Sequence, residues 1–180
     1  MDFKTLFLIF LGGVLVNNYA LEKFLGLTPL LGFTKKEDKL LPLGLCVTAV
    51  SVLATLITWP LNAFVLAPLN LGALQLLCSV AVILILTWAL GAIIKKPLGG
   101  FFPLIALNTA VLGLAVNTAA LSFAEALLSA LGAGLGFLVA LYLMAGVQSR
   151  IQEQYVPKAF RGLPIALLAA AIVSMALLAF

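Results

Sequence analysis

Two threonines are the residues of this chain whose type and spacing could do chemistry, because each lies in the pattern T-x-x-L-G inside a long apolar stretch. Thr28 lies in L-G-L-T-P-L-L-G, and Thr109 lies in L-N-T-A-V-L-G. Gly26 weakens a helix, and Pro29 removes a backbone donor and disfavours helix at the residue before it. We therefore expect a helix to break here and to restart with Thr28 as its N-cap and Pro29 as its first residue. Such a restart turns the positive end of a short helix into the apolar layer.

Five further polar residues lie within or beside these two segments: Asn17, Asn18, Glu22, Lys23 and Asn108. Ionisable groups inside a membrane are costly, and they are candidates for function by default. Glu22 and Lys23 point about 100° apart on a helix, so they do not face each other. They either reach the interface with their long side chains or belong to a path for an ion or a proton. The asparagines either hydrogen-bond between helices or satisfy the backbone of the broken helix beside a site.

The composition indicates that a membrane surrounds these residues. Of the 180 residues, 64% are hydrophobic and 9% are charged, whereas soluble domains are about 25% charged. One span needs about 20 apolar residues, so the length allows roughly six spans. The chain has no histidine, and Cys46 and Cys78 are far apart, which excludes a local zinc or haem motif. We expect each cysteine to be a small apolar residue within a helix.

Charges and helix breakers divide the chain into six predicted spans, which form a single membrane domain over residues 1–180. The uncharged stretches are 5–21, 40–94, 97–124, 126–149 and 162–180. The second stretch is too long for one span, and we divide it where prolines and asparagines cluster, at Pro60, Asn62, Pro68 and Asn70. The predicted loops lie near residues 33–39, 60–69, 95–100, 118–123 and 149–161.

The distribution of cations predicts the orientation. Eight of the ten lysines and arginines lie in the first, third and fifth loops: Lys35, Lys36, Lys39, Lys95, Lys96, Arg150, Lys158 and Arg161. The second and fourth loops contain no cation, so the positive-inside rule places both termini outside. Lys4 and Lys23 are the exceptions. The basic loops either serve topology alone or also dock an acidic cytoplasmic partner.

An internal repeat relates the two halves of the chain. The two T-x-x-L-G segments are 81 residues apart, and this shift lays span two on span five and span three on span six. The half-repeats cover about residues 1–95 and 96–180, and they enter the membrane from opposite sides. Inverted repeats of this kind place binding sites near the midplane, at broken helices, here predicted in spans one and four. Gly132 and Gly136 form a G-x-x-x-G step that permits close helix packing within the chain or against a partner.

Four longer segments then identify a family resemblance. They are V-L-V-N-N-Y-A-L-E-K-F-L-G-L (14–27), A-P-L-N-L (67–71), F-P-L-I-A-L-N-T-A-V-L-G (102–113) and V-P-K-A-F-R-G-L-P-I-A-L (156–167). In this combination and order the chain resembles the Rnf/Nqr membrane subunit family over essentially its whole length, and most closely the RnfA branch. The resemblance implies six spans and a place in the bacterial inner membrane.

The resemblance also implies an activity, a partner and a cofactor. Rnf complexes move electrons between ferredoxin and NAD and couple this to movement of Na⁺ or H⁺, and Nqr complexes pass electrons from NADH to quinone. In such complexes the A-type chain pairs with an RnfE/NqrD-type chain, and the pair holds a [2Fe–2S] cluster between them. Each of these two chains supplies two cysteines. Those of the A-type chain occupy the positions of Thr28 and Thr109 in this sequence. The chain would be one component of a redox-driven translocase rather than a stand-alone enzyme.

This chain departs from the family pattern at both ligand positions. Iron–sulfur clusters are held by thiolates, with histidine as an occasional substitute, and a threonine hydroxyl is not a routine ligand. We therefore expect no cluster on this chain. One alternative remains open, a repurposed inverted-repeat transporter or membrane scaffold without a redox role. The sequence contains no phosphate loop, nicotinamide fingerprint or nucleic-acid patch.

Overall fold

The computed structural model describes residues 3–15, 17–33, 39–93, 105 and 108–178, which contain helices and turns but no strand. The α-helices are α1 (Phe3–Val14), α2 (Leu27–Phe33), α3 (Leu40–Leu61), α4 (Gln75–Ile93), α5 (Thr109–Asn117), α6 (Phe123–Arg150) and α7 (Leu163–Leu178). Short 3₁₀ turns occupy Gly72–Leu74, Thr118–Ala120, Glu153–Tyr155 and Lys158–Phe160. An all-helical architecture is what the composition predicts, because only helices and closed barrels satisfy their backbone in lipid.

The helices of the described residues fall into two length classes. Three are long and apolar enough to cross a membrane: Leu40–Leu66, Gly72–Ala92 and Phe123–Arg150, with 27, 21 and 28 residues. Three shorter apolar helices cover Lys4–Val14, Thr109–Ala120 and Leu163–Leu177. The long helices fit an all-helical membrane protein, while the arrangement of six spans stays a prediction. The predicted loop cations Lys35, Lys36, Lys95 and Lys96 lie outside the described residues.

The loop predicted at residues 60–69 is placed too early. The helix continues through Pro60 and changes to a π turn at Asn62–Leu66, and the chain reverses at residues 67–71. The N–H of Ala67 donates to the carbonyl of Asn62, five residues earlier, at 2.9 Å. Local widening of this kind lets a membrane helix absorb a proline without ending.

Helix α6 lies at the centre of the packing, between α1 and α3. A Cβ added at Gly132 would lie 2.6 Å from the carbonyl oxygen of Phe10, and one added at Gly136 would lie 2.6 Å from that of Gly13. The G-x-x-x-G step therefore packs α6 against α1 within the chain, which is one of the two alternatives the sequence left open. Small buried residues such as Ala133 and Ala140 continue this face, so the backbones approach closely.

The close approach gives a stability prediction. Gly136→Ala places a methyl group against the α1 backbone, and we expect it to lower the free energy of unfolding by about 1–3 kcal/mol. Gly146→Ala is the matched control, because it makes the same change in the same helix where a Cβ meets nothing within 4 Å. Thermal unfolding of both full-length variants in one detergent measures the difference. Equal melting temperatures would contradict this packing.

Candidate functional site at the first helix break

The first helix break lies between α1, which ends at Val14, and α2, which begins at Leu27. Phe24 and Gly26 have φ angles of 54° and 75°, in the left-handed region. The predicted break in span one is confirmed. Thr28, however, is the second residue of α2, so the prediction that it is the N-cap is wrong. The carbonyl of Gly26 already accepts from the N–H of Leu30, which starts the helix before the proline.

At the second predicted break, Asn108 lies directly before α5, and residues 106–107 lie outside the described part of the chain. Asn108 has an extended backbone, with φ −71° and ψ 106°, and its Oδ1 accepts from the N–H of Ala110 at 3.0 Å. Asn108 is therefore the N-cap of α5, a position at which asparagine is among the preferred residues. At this break the capping side chain is the asparagine that precedes the T-x-x-L-G threonine.

The first break contacts the start of α5 directly. The N–H of Gly26 donates to Oγ1 of Thr109 at 2.8 Å, across 83 residues of sequence. A Cβ at Gly26 would collide with Oδ1 of Asn108 and lie 3.0 Å from the ring of Phe137. Glycine is thus required at position 26 by both its φ angle and its surroundings. Thr109 acts here as an acceptor for broken-helix backbone.

The side chain of Asn18 hydrogen-bonds backbone groups of the first break and of α6. Its Nδ2 donates to the carbonyl of Gly136 at 2.8 Å and to that of Val14 at 3.3 Å. Its Oδ1 accepts from the N–H groups of Ala20 and Leu21, at 3.0 and 3.4 Å. The side chain is 3% exposed. Asn18 therefore fulfils both roles considered for the asparagines, since it joins α1 to α6 and it also supports the broken backbone.

Two hydrogen bonds of this site were not predicted from the sequence. Ser174 in α7 donates its hydroxyl to the carbonyl of Leu21, and the side chains of Tyr19 and Asn117 are hydrogen-bonded. A lone serine in an apolar helix was the available clue to Ser174. Both contacts attach the break to other helices, which fixes its path through the protein.

The other polar residues predicted for the site lie in different surroundings. Asn17 is exposed and lies outside the network centred on Asn18. Lys23 is exposed, and its Nζ lies 4.5 Å from the centroid of the Tyr19 ring, a cation–π contact. Among the described residues, Oε2 of Glu22 is buried without a hydrogen-bond partner, as is Nδ2 of Asn108.

Thr28 and Thr109 differ in what surrounds them. Both side chains are exposed at the surface of the chain. Thr109 reaches Gly26, whereas Thr28 lines a cavity beside α7. Cys46 and Cys78 are half-buried in α3 and α4, on other elements. The arrangement as a whole satisfies backbone groups and joins the segment around Gly26 to the start of α5.

Comparison with known proteins gives one consistent family. The family model described as "Rnf-Nqr subunit, membrane protein" matches residues 6–180. The A-type component of the ion-translocating oxidoreductase complex of Syntrophotalea carbinolica is 42% identical over 98% of this chain and 96% of its own length. The A-type component of the Na(+)-translocating ferredoxin:NAD(+) oxidoreductase complex of Acetobacterium woodii is 39% identical over the same shares. The corresponding component of the ion-translocating oxidoreductase complex of Azoarcus sp. is 37% identical over 96% of this chain and 94% of its own length.

The Asn18 network gives the prediction for this site. Asn18→Leu keeps the size of the side chain but leaves the carbonyl of Gly136 and two backbone N–H groups without their partner. Each buried group left unpaired costs about 1–3 kcal/mol, so we expect a loss of at least about 2 kcal/mol of stability. Asn17→Leu, at the exposed neighbour, is expected to change stability by less than about 0.5 kcal/mol. Thermal unfolding in detergent compares them, and equal losses would show that the buried network contributes nothing.

Proposed function

Because the chain belongs to the Rnf-Nqr family of membrane subunits, we propose that it is the A-type component of an ion-translocating electron-transport complex. One observation carries this function: the match to the A-type relatives runs through at least 96% of this chain and 94% of each relative. The similarity therefore covers nearly the whole length of these relatives. The proposed partners are an RnfE/NqrD-type membrane subunit, the other members of the complex and the bilayer.

We place the chain in the inner membrane as two inverted halves of three spans, with both termini outside. The hydrogen bond between Gly26 and Thr109 supports this arrangement, because the two residues come from the two segments that carry the sequence repeat. The basic residues Arg150, Lys158 and Arg161 lie together around the turn between α6 and α7, which the positive-inside rule assigns to the cytoplasm.

The function is tested in inverted membrane vesicles of the bacterium that carries this chain. Vesicles from the wild-type strain and from a strain lacking the chain receive reduced ferredoxin and NAD⁺, or NADH and quinone, and uptake of Na⁺ or H⁺ is followed. We expect the deletion to abolish uptake coupled to one of these redox pairs, and the full-length chain to restore it. Uptake at the wild-type level in the deletion would contradict the proposal and favour the repurposed scaffold.

We propose that Glu22 contacts the translocated cation, and the same vesicles test this role. A buried carboxylate oxygen without a donor is costly inside a membrane, and a passing cation would compensate it. We expect Glu22→Gln to lower ion uptake while the redox reaction continues. Glu125→Gln is the control, since Glu125 belongs to the capping box at the start of α6. Uptake unchanged by Glu22→Gln would exclude this role.

We propose further that this chain holds no [2Fe–2S] cluster, although the family resemblance implies one at Thr28 and Thr109. The donor chemistry does not fit, because both positions carry neutral hydroxyls where thiolates are needed. Oγ1 of Thr109 is also already engaged as the acceptor for Gly26. The two cysteines, Cys46 and Cys78, lie on α3 and α4 and not at the breaks.

Iron and acid-labile sulfide test the absence of the cluster. The chain is purified anaerobically with only its RnfE/NqrD-type partner, which avoids clusters from the rest of the complex. We expect a pair that forms without iron, without labile sulfide and without visible absorption. One [2Fe–2S] spectrum per pair would overturn the ligand argument and would require donors other than the two threonines.

A further inference from the structure

A cavity of about 630 Å³ lies between α2, the end of α6 and the start of α7. Its walls are mostly apolar and include Leu27, Leu31, Leu163, Ile165 and Ala166, while Thr28 and Gln148 supply its polar groups. The volume is within the range of small-molecule sites, about 300–1,000 Å³. None of the helix-break contacts described above fills it.

A short helix and a missing side chain create this space. Helix α2 has seven residues, so it does not run alongside the whole of α7. Gly32 lines the cavity, and a Cβ built there would meet nothing within 4 Å. An apolar space of this size is poorly suited to water. In a bilayer, hydrocarbon is the chemistry that matches its walls.

Two arginines are sequence neighbours of residues that line the cavity. Arg150 directly precedes Ile151, and Arg161 directly precedes Gly162, and both of these following residues line the cavity. Residues 150–162 contain three cations, with Lys158, and one carboxylate, Glu153, which gives a net charge of +2. Nε of Arg161 donates to the carbonyl of Val156 at 2.9 Å, so this side chain is held in place.

Aromatic residues indicate that this turn lies at the bilayer interface. Tyr155 is 80% exposed and Phe160 is 49% exposed. Exposed aromatic side chains beside arginine and lysine are typical of the headgroup level of a membrane. The apolar cavity suits an acyl chain, and the cations of the adjacent turn suit an anionic headgroup.

We propose that the cavity holds one acyl chain of an anionic phospholipid, whose phosphate lies against Arg150 and Arg161. The net positive charge of residues 150–162 favours an anionic headgroup, and basic pockets between transmembrane helices on the cytoplasmic side are known to bind such lipids. The lipid fills the space beside α2 and so supports the helix that follows the first break. This lipid site does not depend on the redox function.

Native mass spectrometry of the full-length chain tests the proposal. The delipidated protein is offered phosphatidylglycerol or phosphatidylcholine with identical acyl chains. We expect one phosphatidylglycerol to be retained per chain, with a preference of about fivefold for each basic residue that contacts it. Equal retention of both lipids by the wild-type chain would overturn the proposal, as would co-purification of a neutral isoprenoid in the lipid's place.

Variants on opposite walls locate the lipid. Gly32→Leu and Ala166→Leu each fill the cavity, and we expect either change to abolish the retained phosphatidylglycerol. Gly146→Leu is the control, because it lies in α6 near the same end, in open space and outside the cavity lining. Retention in both cavity variants at the wild-type level would place the lipid elsewhere and refute the site.

A charge variant decides the question even if the cavity variants fail to fold. The double substitution Arg150→Gln and Arg161→Gln changes exposed residues, and we expect it to remove the preference for phosphatidylglycerol while the chain stays monodisperse. Lys4→Gln, at the other end of the fold, is expected to keep the preference. A double variant that still selects the anionic lipid would overturn the proposed headgroup contact.

Discussion

The structure depends on the requirement that backbone groups inside a bilayer find partners within the protein. Between Val14 and Leu27 the regular helical pattern of hydrogen bonds is interrupted. The N–H groups of Asn17, Glu22 and Leu25 still find backbone carbonyls, but the bilayer core offers no water for the others. Asn18 and Thr109 provide partners instead, through one side-chain amide and one hydroxyl. A break in this position is therefore possible only where other helices of the same chain reach it.

That requirement explains why small residues line the contact between α1 and α6. The carbonyl of Gly136 accepts from Asn18, and the absence of a side chain at Gly136 lets α1 lie close enough for this bond. At the other end of the break, Gly26 reaches Thr109 because no Cβ separates it from Asn108. The conformational freedom and the small size of glycine thus serve the same polar network.

The sequence predicts local breaks well and long-range partners poorly. Gly26 and Pro29 predict where the first helix breaks, because both act through the backbone of neighbouring residues. The N-cap of α2 was predicted wrongly, because the helix begins at Leu27, one residue before Thr28. Pro60 was also misread, because whether a helix ends or widens at a proline depends on its packing.

Contacts between distant segments had no signature in the spacing of residues. The 81-residue repeat places two similar segments in the chain, but it does not say that Gly26 donates to Thr109. The same holds for Ser174, which is one of several isolated hydroxyls in apolar helices and the one that reaches Leu21. Such pairings follow from the three-dimensional arrangement of helices, which composition and periodicity leave undetermined.

The most direct test of side-chain support for the broken helix is hydrogen exchange of the backbone amides at the first break, in the full-length chain embedded in lipid nanodiscs. If side chains satisfy the break, the amides of Ala20, Leu21 and Gly26 exchange about as slowly as those of α6. Thr109→Val then speeds exchange in the segment containing Gly26, while Thr28→Val does not. Rapid exchange of these amides in the unmodified chain would contradict this, because it would mean that water satisfies the broken helix.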